Sequence, residues 1–85
     1  MTREEFGQRL KAARETAGLT QVEAARKLSV SQPNIAEYEG GRRIPSVIKL
    51  IGMIETLGLD SRLLFPEFFA AASGVKRKRP PKAPV

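Results

Sequence analysis

The chemistry open to this 85-residue sequence is non-covalent, because it has no cysteine, no histidine and a single aspartate, Asp60. Thiolate and imidazole ligands are absent, and with them the nucleophile–base pairs of hydrolytic triads. No metal or cofactor is implied, and no enzymatic activity is expected. What the chain offers instead is hydrogen bonding. Gln32, Asn34 and Glu37 lie close together, with Pro33 and Ala36 among them. An amide carries a donor and an acceptor side by side and a carboxylate only accepts, which suits reading the edges of bases; Pro33 and Ala36 add apolar surface for a thymine methyl. Thr20, Gln21 and Ser31 supply hydroxyl and amide donors of the kind that hold a phosphate.

These residues can act together only if the elements carrying them are fixed, and the sequence punctuates helices throughout. Thr2 with Glu5, and Thr20 with Glu23, have the capping-box spacing in which each side chain satisfies an orphaned amide at a helix start. Phe6, Leu10, Ala13 and Ala17 recur on one helical face, and Gly18 ends the run, so a first helix is predicted over 3–17. A second spans 21–28, with Val22, Ala25 and Leu28 as its apolar face. Ser31 caps a third that runs to about Glu39, with Pro33 in its first turn and Gly40-Gly41 as its stop. A fourth opens at Pro45-Ser46 and presents Val47, Leu50, Ile51, Ile54 and Leu57 on one side. Asp60 caps a short fifth, 61–65, and 66–72 reads as a further turn or two after Pro66.

The second and third predicted helices are separated only by Ser29-Val30-Ser31, short enough to hold them at a steep angle. That is the helix-turn-helix arrangement, whose second member enters the major groove of DNA. With Ile35 and Tyr38 facing the core, Gln32, Pro33, Asn34, Ala36 and Glu37 point outward, and these are the candidate base-reading residues. The amino end of the second helix, at Thr20 and Gln21, is a candidate phosphate site through its unpaired amides and helix dipole.

The ordered set Gly7-x-Arg9-Leu10, Arg14-x-x-x-Gly18-Leu19-Thr20-Gln21, Ala25-x-x-Leu28-x-Val30-Ser31-x-x-x-Ile35, Glu39-x-Gly41, Pro45 and Leu57-Gly58 resembles the Cro/repressor-type (XRE-like) helix-turn-helix family over roughly residues 6–65. The resemblance implies an all-α fold: a compact five-helix bundle of the lambda-repressor-like DNA-binding type. It further implies that Gln21 clamps a backbone phosphate and supports the recognition helix. By the same resemblance Arg42 and Arg43 lie along the sugar–phosphate backbone, and Arg14 and Glu39 form an internal, structural ion pair. Two positions depart from the family pattern. Ser29 stands where glycine is usual in the link, and Ala24 replaces a leucine of the second helix.

Charge divides the chain. Residues 1–74 carry ten Lys/Arg against nine Asp/Glu, whereas 75–85, VKRKRPPKAPV, carry five Lys/Arg and no acid. The expected organisation is a DNA-binding domain over 1–74 and a disordered basic tail over 75–85, which adds sequence-independent attraction to nucleic acid or a docking point for a protein partner. No run is long enough to span a membrane and the amino end has no signal-peptide core, so a cytoplasmic, nucleoid-associated protein is expected. One helix-turn-helix unit reads roughly four to six base pairs, which favours a homodimer on an inverted repeat of double-stranded DNA. Leu64, Phe65, Phe68 and Phe69, crowded after the fourth helix, are the expected dimer interface. A repressor is the favoured function. An antitoxin-type or other protein-interaction module, with DNA binding secondary, is the alternative.

Overall fold

The computed structural model describes residues 1–68. Five α-helices follow one another there: α1 (Arg3–Thr16), α2 (Gln21–Leu28), α3 (Gln32–Glu39), α4 (Val47–Leu57) and α5 (Ser61–Leu64). Each is started by the side chain that the sequence puts there. Thr2 and Glu5 close a reciprocal capping box on α1, Thr20 and Glu23 do so on α2, and Ser31, Ser46 and Asp60 cap α3, α4 and α5. Residues 66–68 are again helical. The remainder of the expected 66–72 turn, Phe69 and the 75–85 tail lie outside the described residues. Among the described residues no helix is long and apolar enough to cross a membrane.

α1 packs on α3 and α5, and α2 packs on α3 and α4. The core gathers Phe6, Leu10 and Ala13 from α1, Ala24 from α2, Tyr38 from α3, Met53 and Leu57 from α4, and Leu59 and Leu64 around α5. Burying each larger side chain contributes about 1.5–3 kcal/mol against leaving it in water. Ile35 is also buried, so the two residues used to phase α3 both face inward.

Two apolar faces differ from expectation. On α2 the buried pair is Ala24 and Ala25, while Val22 is exposed. On α4 the inward residues are Met53 and Leu57, with Leu50 and Ile54 partly covered, and Val47, Ile48 and Ile51 face out. α4 is apolar nearly all round, so periodicity alone cannot choose its inward face; packing against α2 does.

The link between α2 and α3 turns through Ser29, which has φ +58° and is the one non-glycine residue with positive φ among those described. This left-handed conformation lets the Val30 amide donate to the Ala25 carbonyl oxygen at 3.0 Å and closes α2. A side chain there costs roughly 1–2 kcal/mol relative to the right-handed conformation. Ser29→Gly is accordingly expected to stabilise the domain by about 0.5–1 kcal/mol, after allowing for glycine's larger unfolded-state entropy. In a thermal melt that is a rise of several degrees.

Candidate nucleic-acid interface

α3 presents the outward set at its amino end. Gln32 and Pro33 are exposed, Asn34, Ala36 and Glu37 are half-buried, and Ser31 caps the helix by accepting the Asn34 amide at 3.2 Å. The Ser31 hydroxyl hydrogen remains available to an incoming oxygen.

Gln32 does not stand alone. Its Nε2 donates to Gln21 Oε1 at 2.6 Å, and Gln21 Nε2 donates to Glu39 Oε1 at 3.0 Å. Glu39 is ion-paired with Arg14, whose Nε lies 2.6 Å from Oε2 and whose Nη2 lies 3.1 Å from Oε1. Arg14 Nη1 also donates to the Leu19 carbonyl oxygen at 2.7 Å, tying in the turn before α2. Both ion-pair partners are buried. The Glu39 carboxylate holds the Arg14 guanidinium protonated even more firmly than usual, raising its pKa. Residues 14, 21, 32 and 39 therefore form one polar chain from the interior to the tip of α3.

The start of α2 is more occupied than an open anion site. The Thr20 backbone N–H donates to Glu23 Oε1 at 2.8 Å and Thr20 Oγ1 accepts the Glu23 amide at 3.0 Å. That bond to the Thr20 backbone lowers the Glu23 pKa. The capping carboxylate thus takes the place at the Thr20 amide that an anion would have, and the backbone N–H groups of Gln21 and Val22 are the ones left for a phosphate oxygen.

Beyond α3, Arg42 is exposed, whereas Arg43 Nε lies 3.1 Å from Glu37 Oε1. A candidate base reader and a candidate phosphate ligand are thus joined. Both side chains of this pair are substantially exposed, at 57% and 39%, so water competes well for it and it opens at little cost.

The expected dimer residues separate. Leu64 has no exposure and belongs to the core, so a second copy cannot touch it. Phe65 packs on the core, its ring centroid 6.5 Å from that of Phe6. Of the set, only Phe68 is exposed among the described residues. Arg9 donates to the Leu64 carbonyl oxygen at 3.2 Å and to Glu67 Oε1 at 2.8 Å, which ties α1 to the segment after α5. The Arg9–Glu67 side-chain hydrogen bond lowers the Glu67 pKa to about 2. The larger apolar exposure lies on α4, where Val47, Ile48 and Ile51 face outward, with Ile44 exposed just before that helix.

The sequence and the fold are similar to those of known proteins. A helix-turn-helix domain family matches residues 5–66. The HTH-type transcriptional regulator ImmR of Bacillus subtilis (strain 168) is 47% identical over 46 residues, which are 54% of this chain and 36% of the relative, so the match spans about a third of that protein's length. Among solved structures, the clp gene regulator ClgR from Corynebacterium glutamicum superimposes with a TM-score of 0.68 at 30% identity, covering 76% of this chain and 85% of that one. The restriction-modification controller protein C.AhdI from Aeromonas hydrophila gives 0.64 at 29% identity, covering 73% and 94%.

Proposed function

This chain belongs to the XRE-like helix-turn-helix family of DNA-binding transcription regulators, and from that premise we propose that it is a sequence-specific repressor that binds an inverted repeat of double-stranded DNA as a homodimer. α3 enters the major groove, where Gln32 pairs bidentately with an adenine and Glu37 accepts from a cytosine amino group once Arg43 turns to the backbone. Asn34, Pro33 and Ala36 fill the rest of the groove contact. Gln21, Ser31, Arg42 and Arg43 hold phosphates together with the start of α2, where Thr20 acts through its cap, and the basic segment 75–85 adds attraction that any DNA sequence feels. The observation that carries the reading is the exposed Gln32 at the tip of α3, held by Gln21.

Selection from a random DNA library at physiological salt tests it, and an inverted repeat with half-site centres about one helical turn apart is expected. Gln32→Ala should cost about 1–3 kcal/mol on the selected site and little on random DNA. An equal loss on both would remove Gln32 from base reading. Binding without any enriched sequence would favour the protein-interaction module.

For the dimer, the outer face of α4 replaces the carboxyl-terminal cluster. A two-fold contact sets a surface against itself, so charged strips repel while an aliphatic strip is self-complementary. Val47, Ile48 and Ile51 form such a strip, four residues beyond Arg43, so pairing there sets the two basic loops beside the shared contact. Ile48→Glu with Ile51→Glu should leave the domain folded, because both side chains already face out. The pair should shift the dimer to monomer in light scattering and lower full-operator affinity by about 100-fold or more. An unaltered dimer would place the interface elsewhere, with Phe68 the next surface to change.

A further inference from the structure

Glu39 is buried, yet it begins the hydrogen-bond chain that ends on the exposed Gln32. We propose that Glu39 is a positioning residue for base specificity: its carboxylate sets the amide polarity of Gln21 and, through it, of Gln32, so that Gln32 presents acceptor and donor in the order that matches adenine. This rests on the placement of α3 in the major groove proposed above.

The direction of the chain follows from donor and acceptor inventories. An ionised carboxylate has no proton to give, so whatever meets it must donate. Arg14 meets Glu39 with Nε and Nη2, and Gln21 must therefore turn its NH2 group, not its carbonyl, toward Oε1. That leaves Gln21 Oε1 facing Gln32, which an acceptor would repel and a donor satisfies; Gln32 supplies Nε2 at 2.6 Å. Each amide is fixed by the one behind it. Bonds to an ionised group are about twice as strong as neutral ones, so the charged end dictates the order.

Two consequences reach the surface. Gln32 keeps one N–H and Oε1 free. Adenine offers an acceptor at N7 and a donor at N6, which complement that pair, whereas guanine offers acceptors at both N7 and O6 and sets an oxygen against Gln32 Oε1. Gln21 likewise keeps its second N–H for a phosphate oxygen; the reversed amide would turn its carbonyl toward the anion. One buried carboxylate thus orients a base contact and a backbone contact together, although it touches neither ligand.

The test is site selection with the full chain carrying Gln21→Met, which cuts the chain while leaving the Arg14–Glu39 pair, and separately Arg14→Met with Glu39→Gln, which removes both buried charges and puts a reversible amide at the head of the chain. The readout is the preference for adenine over guanine at the operator position that Gln32→Ala abolishes in the otherwise unaltered protein. In both variants that preference should fall at least about tenfold, towards the level of Gln32→Ala. Binding to random DNA should fall only for Gln21→Met, which also loses its phosphate contact. Circular dichroism confirms that each variant is folded, and if the double variant is not, Gln21→Met decides. An undiminished adenine preference in a folded variant overturns the proposal and leaves Glu39 as scaffold. If no operator position responds to Gln32→Ala, the placement of α3 fails first and takes this proposal with it.

Discussion

Truncating Glu39 to alanine is expected to destabilise the domain by about 3–5 kcal/mol, a large part of the ~5–15 kcal/mol that holds a domain of this kind together. The cost comes from what is left behind. Arg14 stays charged at any accessible pH and its side chain is 9% exposed, so removing Glu39 strands a guanidinium with only the Leu19 carbonyl for a partner. The intact pair is a different matter. Taking both charges out of water offsets most of their attraction, so Arg14→Met with Glu39→Met should cost far less than Glu39→Ala alone. Urea melts of the single and double variants, read as a double-mutant cycle, measure the coupling. A cost below about 1 kcal/mol for Glu39→Ala would mean that water reaches the pair as it reaches a surface ion pair.

The parts of this fold written within a few residues are legible in the sequence. The boxes Thr2–Glu5 and Thr20–Glu23 are local, each closing over three residues, and both form as their spacing requires. The third helix can be phased because Ile35 and Tyr38 are the large apolar groups of an otherwise polar segment, and both are buried. Helix α4 cannot, since apolar residues surround it and only the neighbour it lies on selects Met53 over Val47.

The carboxyl-terminal cluster misleads for a related reason. Adjacent Leu64 and Phe65 look like more apolar surface than one short helix can hide, but α5 lies on α1, where Leu64 is enclosed and Phe65 meets Phe6. Arg9 and Glu67 are 58 positions apart, and no local pattern pairs them. In the polar chain, the pairing of Arg14 with Glu39 is implied by family resemblance, and Gln21, Gln32 and Glu39 are each visible as single residues. Their connection is not, because it depends on how α2 and α3 cross and bring residues 11 and 18 positions apart into contact.

The end of α3, which carries Glu39, also lies close against α1, and Gly7 permits that approach. A Cβ at Gly7 would stand 2.8 Å from the Tyr38 carbonyl oxygen and nearer still to that of Glu39. Both are backbone atoms near the end of α3 and neither can swing aside as a side chain would. Gly7→Ala must therefore push α1 off α3, and overpacking of this kind costs about 1–3 kcal/mol or more, against a gain of about 1 kcal/mol in helix propensity. A net loss of about 2 kcal/mol is expected at the upper end of that cost, and because α1 carries Arg14, adenine preference should weaken with it. Gly52, in α4, provides the contrast. A Cβ there meets nothing within 4 Å and its φ is ordinary, so Gly52→Ala should stabilise the domain by about 0.4–1 kcal/mol. The same substitution in two helices is thus expected to move the urea midpoint in opposite directions. Equal and favourable shifts would show that α1 does not need glycine to reach α3, and the tight α1–α3 contact behind Arg14 and Glu39 would have to be abandoned.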